Sequence, residues 1–66
     1  MNNLQRIRKE KGLTQTELAR ISGVPLKSLL KYEQEEIKIE RASAGAVYRL
    51  AVALECNMED LIDVKL

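Results

Sequence analysis

A chain of 66 residues with 45% hydrophobic and 32% charged side chains has the composition of one small folded domain rather than a disordered tail, and a domain this small buries only about 60% of the surface its unfolded form exposes. It holds no histidine and one cysteine, Cys56. That leaves zinc sites, disulfide frameworks and nucleophilic triads without parts, and points to a protein that is not an enzyme, carries no metal or cofactor, and works in a reducing, cytoplasmic setting. Net charge is +1, yet residues 1–31 set seven basic side chains against two acidic ones (+5), and residues 32–66 set four against eight (−4). The first half is therefore suited to a polyanion and the second is not. No apolar run nears the roughly 18–20 residues of a membrane span, and no basic-then-apolar leader opens the chain. Neither a membrane nor a small-molecule ligand is expected.

No stretch alternates with period two, so the expected elements are helices. Leu4 and Ile7 start a first helix that ends near Gly12, after basic residues in its last turn. Thr14-Gln15-Thr16-Glu17 reads as a capping box, flanked by Leu13 and Leu18 as a hydrophobic staple, and opens a second helix that runs to about Ser22 before Gly23. Pro25 fits the first position of a third helix, over about 25–34. In it Leu29 and Tyr32 face inward with Val24, while Leu26 and Leu30, and beside them Lys27 and Lys31, repeat at i, i+4 on another face. Glu35 to Ala42 reads as a polar, partly extended connection. Ser43 caps a fourth helix with its apolar stripe at Val47, Leu50, Ala51 and Leu54. Asn57 with Asp60 resembles a second capping box, starting a fifth helix over roughly Met58 to Asp63. The reading is one all-α domain over 1–66, with five helices and a helix-turn-helix unit at about 15–34 formed by helices 2 and 3.

Leu13-Thr14-Gln15-x-Glu17-Leu18-Ala19, Gly23-Val24 and Leu29-x-x-Tyr32-Glu33, followed by Leu50-Ala51-x-Ala53-Leu54 and Glu59-Asp60-Leu61-Ile62, resemble the Xre/Cro–repressor (lambda repressor-like) family of helix-turn-helix DNA-binding proteins. The resemblance covers about Leu4 to Ile62. It implies a sequence-specific double-stranded DNA-binding transcriptional regulator whose third helix enters the major groove N-terminal end first. On that basis the DNA-binding residues are Gln15, Leu26, Lys27, Ser28, Leu30, Lys31 and Gln34. Lys27 and Lys31 can donate to guanine O6/N7 or to phosphate, and Leu26 or Leu30 can meet a thymine methyl or another apolar surface. Gln15 matches a position that holds a backbone phosphate and braces the third helix. The amides of the second helix's first turn serve the same phosphate, and Ser28 adds a hydroxyl. Arg8 and Glu33 match an ion pair between the first and third helices, used for orientation more than for net stability.

The chain departs from the family pattern in four ways. Glu35, followed by Glu36, stands where a glycine commonly follows the third helix, and Glu55 stands where one follows the fourth. Leu26 and Leu30 are more apolar than a DNA face usually is, and the connection after Glu33 is a few residues longer. One such domain makes few phosphate contacts, so a homodimer on a pseudo-palindrome is expected, with half-sites about 34–36 Å apart. Its surface is assigned to Met58, Leu61, Ile62, Val64 and Leu66, residues that could alternatively close the monomer core. The competing function is a protein–protein module on the same fold, an antitoxin-like or accessory subunit, in which Leu26, Leu30, Glu35 and Glu36 would meet a protein partner.

Overall fold

Local sequence signals set the helix ends. A computed structural model describes residues 2–62, and within them the chain forms α1 (Asn3–Glu10), α2 (Gln15–Ser22), α3 (Leu26–Glu33), a 3₁₀ turn (Ile39–Arg41), α4 (Ala44–Leu54) and α5 (Met58–Leu61), with no strand among the described residues. At α1, the Asn2 carboxamide oxygen accepts the Gln5 amide at 3.0 Å. At α2 both halves of the capping box close: the Glu17 amide donates to the Thr14 hydroxyl at 3.0 Å, and the Thr14 amide donates to the Glu17 carboxylate at 2.9 Å. The Thr14 amide, then the Thr14 hydroxyl, hold the Glu17 carboxyl below its ordinary value. The charged form of the box therefore stays in place until the pH has fallen through that lowered value. Ser43 Oγ accepts the Ala46 amide at the start of α4, and the Asp60 carboxylate accepts the Asn57 amide at the start of α5.

Three expected boundaries shift. Pro25 caps α3 rather than entering it: its φ of −56° suits a helix but its ψ of 138° is extended. Its carbonyl still accepts the Leu29 amide at 3.0 Å and starts the ladder. The connection expected to be partly extended instead contains the 3₁₀ turn, because Ile39 is drawn into the core at 7% exposure. Burying that one side chain while Ile37 stays outside requires the chain to coil there. The fifth helix, expected to run to about Asp63, ends at Leu61, because Ile62 already has extended backbone, φ −90° and ψ 128°.

Leu4, Leu18, Leu29, Leu50, Leu54 and Leu61 are the largest fully buried side chains, joined by Ile7, Val24, Ile39, Val47 and Ala51. Each fully buried leucine is worth roughly 1.5–3 kcal/mol against exposure. Through this core α2 packs across α4 and against α3, α5 closes on α4, and α1 meets α3 and α5. Ala19 packs partly buried at the edge of the core. The α2–α3 turn is short because Gly23 takes the left-handed conformation, φ 77°, with its amide on the Ala19 carbonyl. Ser22, buried at 8%, holds the far side by accepting the Val24 amide at 3.2 Å.

Glu35 and Glu55 also have positive φ, 60° and 55°. Both occupy positions where the helix ending wants a residue without a Cβ, which explains why glycine is usual there. Glu55→Gly is expected to stabilise the fold by about 0.5–1 kcal/mol, net of the extra freedom glycine has in the unfolded chain, readable as a rise in Tm of several degrees. A melting temperature that does not rise would mean that the Glu55 side chain stabilises its turn.

Candidate nucleic-acid interface

The candidate surface starts from a buried carboxylate. Glu33, the last residue of α3, has a side chain only 1% exposed, and Arg8 of α1 meets it at 8%. The contact is bidentate: Arg8 Nε donates to Glu33 Oε2 at 2.6 Å and Nη2 to Oε1 at 3.0 Å. Arg8 Nη1 donates to the Leu13 carbonyl at 2.8 Å, which ties in the α1–α2 turn. Gln15 Nε2 donates to Glu33 Oε1 at 3.0 Å, which ties the first turn of α2 to the same carboxylate. At the other side of α1, Asn2 Nδ2 donates to the Tyr32 carbonyl at 2.8 Å. The C-terminal end of α3 is thus fixed from three directions by polar contacts. Leu29 and Val24 fix its other end by packing. A paired, hydrogen-bonded buried charge sets orientation rather than adding net stability.

With its inner face so held, α3 turns Lys27, Lys31 and Gln34 outward. All three are exposed, at i, i+4 and i+7 on one face. No ion pair or hydrogen bond among the described residues engages either lysine ammonium. Leu26 is also outward, at 38% exposure, while Ser28 and Leu30 are half-buried on the flanks. The acidic loop that follows folds back over the end of α3, where the Glu36 and Ile37 amides both donate to the Lys31 carbonyl. Glu35 within it faces Lys38 at 3.6 Å, so part of the negative charge beside the lysine face is compensated locally.

Other positions named from the sequence lie elsewhere. Gln15 is half-buried with its amide nitrogen committed to Glu33, so its side chain joins α2 to α3. Leu61 is a correction: at 1% exposure it is core and offers no open surface to a second copy. It is buried because α5 closes over α4, as the alternative reading of that segment had it. Met58 and Ile62 are half-buried, Met58 against the core, and Val64 and Leu66 lie outside the described residues. Among the described residues of the C-terminal half, the exposed large apolar side chains are Ile37 in the connection and Tyr48 and Val52, one turn apart on α4.

Tertiary packing adds residues that the sequence reading missed. A cleft of about 320 Å³ between the starts of α3 and α4 is lined by Pro25, Ser28, Tyr32, Ser43, Gly45 and Arg49. Arg49 belongs to the acidic half of the chain, yet folding sets it on the same cleft as Ser28. Nothing in the linear sequence signals that, because the two reach one cleft only through the packing of α2 against both α3 and α4. Burial, then the Asp60 carboxylate, push the half-buried Cys56 thiol above its ordinary value, which favours its protonated form. Among the described residues no cluster of His, Cys, Asp or Glu could hold a metal, and no helix is long and apolar enough to cross a membrane.

A family model described as the Cro/C1-type HTH DNA-binding domain matches residues 3–65. No curated protein and no solved structure matches the chain.

Removing one half of the buried ion pair should be worse than removing both. Glu33→Ala leaves the Arg8 guanidinium buried and unpaired and should cost roughly 3–5 kcal/mol. Arg8→Met/Glu33→Leu should retain most of that stability, since the Leu13 carbonyl and the Gln15 amide nitrogen it frees both belong to half-exposed residues that water can reach. Denaturant melts of the wild type, both single variants and the double variant give the coupling, and additivity across the cycle would rule out the pair as an energetic unit.

Proposed function

The chain belongs to the Cro/C1-type helix-turn-helix DNA-binding family, and from that premise we propose that it is a sequence-specific double-stranded DNA-binding transcriptional regulator, with α3 as its recognition helix in the major groove and two copies on a pseudo-palindrome. The observation that carries this reading is the open Lys27–Lys31 strip: two unpaired cations one turn apart on a helix anchored rigidly at its other faces. Held that way, their ammonium groups reach guanine O6/N7 or phosphate oxygens without first breaking a contact in the free protein.

The remaining roles follow from position. Gln34, a turn beyond Lys31, lies at the edge of the strip. Ser28 offers a hydroxyl to a phosphate on the flank. Gln15 works through Glu33 by bracing α3, and the unpaired amides of the first turn of α2 take the phosphate beside it. Leu26 and Leu30 line the apolar side of the same face. For the second copy, Met58 and Ile62 remain half-open on the α5 side, and a pseudo-palindrome calls for two recognition helices about 34–36 Å apart, one turn of duplex.

Lys27→Ala/Lys31→Ala is the direct test. Selection from a randomised duplex pool, with light scattering on the purified protein and its complexes, gives the site and the number of chains. In a titration over salt the wild type should lose affinity steeply. The double variant should bind at least tenfold more weakly at low salt, with its log–log salt slope shallower by up to about 1.8 if both lysines neutralise phosphates. Affinity indifferent to salt would overturn the reading. A protein partner held on the same face through Leu26 and Leu30 would instead survive the substitution.

A further inference from the structure

We infer that Leu26, backed by Leu30, reads thymine: the C5-methyl group of a thymine under the start of α3 is part of what the protein recognises. The inference rests on the DNA-binding reading above and adds to it the chemical class of base that the helix selects. It starts from a mismatch of chemistry on the outward face of α3. Lys27, Lys31 and Gln34 are all exposed hydrogen-bonding side chains, whereas Leu26, at the edge of their face, is a leucine left 38% exposed. The core does not require it, because Leu29 and Val24, at 0% and 3% exposure, already fill the inner side of this helix end. Leu30, one turn on and half-buried, continues the apolar stripe inward.

A recognition helix presents its N-terminal residues to the base edges, and Leu26 is the first residue of α3. The major-groove edges of guanine, cytosine and adenine are hydrogen-bonding groups, and only thymine displays an apolar one. Leucine set against a carbonyl or amino edge strips it of water and returns no hydrogen bond, whereas set against a methyl it removes apolar surface from both sides. The same side chain therefore favours one base and penalises the other three, which is how specificity arises from a contact that donates nothing. Leu26 is followed directly by Lys27, about 100° around the helix, so a donor for a guanine edge sits beside the methyl reader.

The test replaces the methyl and nothing else. A duplex enriched from the randomised pool is resynthesised with each thymine changed singly to deoxyuridine, and its affinity for the wild type and for Leu26→Ala is measured. At one or two positions uracil should weaken wild-type binding about three- to fivefold, the scale of one buried methyl. Leu26→Ala should bind the thymine and uracil duplexes equally. Because Leu26 lies outside the buried core, that variant should stay folded, and the uracil series on the unaltered protein needs no variant at all. An enriched duplex indifferent to uracil at every position overturns the inference while leaving DNA binding intact. So does discrimination that persists undiminished in Leu26→Ala. A pool that yields no enriched sequence overturns the DNA-binding reading itself.

Discussion

A carboxylate as deeply buried as that of Glu33 must be surrounded by donors, and here the donors come from two other helices. Arg8 brings two nitrogens from α1, and Gln15 brings one from α2. Arg8 also holds the Leu13 carbonyl in the turn between those helices. One buried charge therefore sets the mutual placement of α1, α2 and α3. Apolar packing alone would fix this less well, since leucine against leucine tolerates small rotations that a bidentate guanidinium–carboxylate contact does not. Everything proposed for the outer face of α3 depends on that immobility, because side chains at i, i+4 and i+7 address successive features of a duplex only if the helix carrying them keeps one angle.

The two faces of α3 divide the work. Inward, Leu29 is fully buried and Glu33 nearly so; outward, Lys27 and Lys31 are left without partners among the described residues. Leaving cations unpaired costs little in water and keeps them available. The acidic loop beyond α3 could have spoiled this arrangement. Instead it folds back through amides on the Lys31 carbonyl and places Glu35 against Lys38. The left-handed backbone at Glu35 is part of that reversal, a conformation in which a side chain with a Cβ is strained and which the fold tolerates at this turn.

Most helix starts, most of the core leucines and the family were legible in the sequence. Capping boxes act over three residues, an amphipathic stripe over two turns, and a glycine stop at one position, so each depends on neighbours in the chain and can be read there. The Arg8–Glu33 contact was legible only through resemblance, since 25 residues separate its partners and neither carries a local sign of burial. Less legible were the start of α3 after Pro25, where φ alone suggests helix and ψ denies it, and the connection, where the burial of Ile39 coils a segment whose polarity suggests extension.

What the sequence by itself determined is thus the number of α-helices and the basic character of the first half, both consequences of composition and short-range periodicity. Only the tertiary structure decided which apolar residues are core and which are surface. Leu61 lies in the interior while Tyr48 and Val52 stay outside, because the outcome depends on which face α4 turns toward α2 and α5. It also decided that Arg49 lines the same cleft as Ser28 of α3. Neighbours of that kind are made by packing between helices, a property of the whole core that no window of the chain contains.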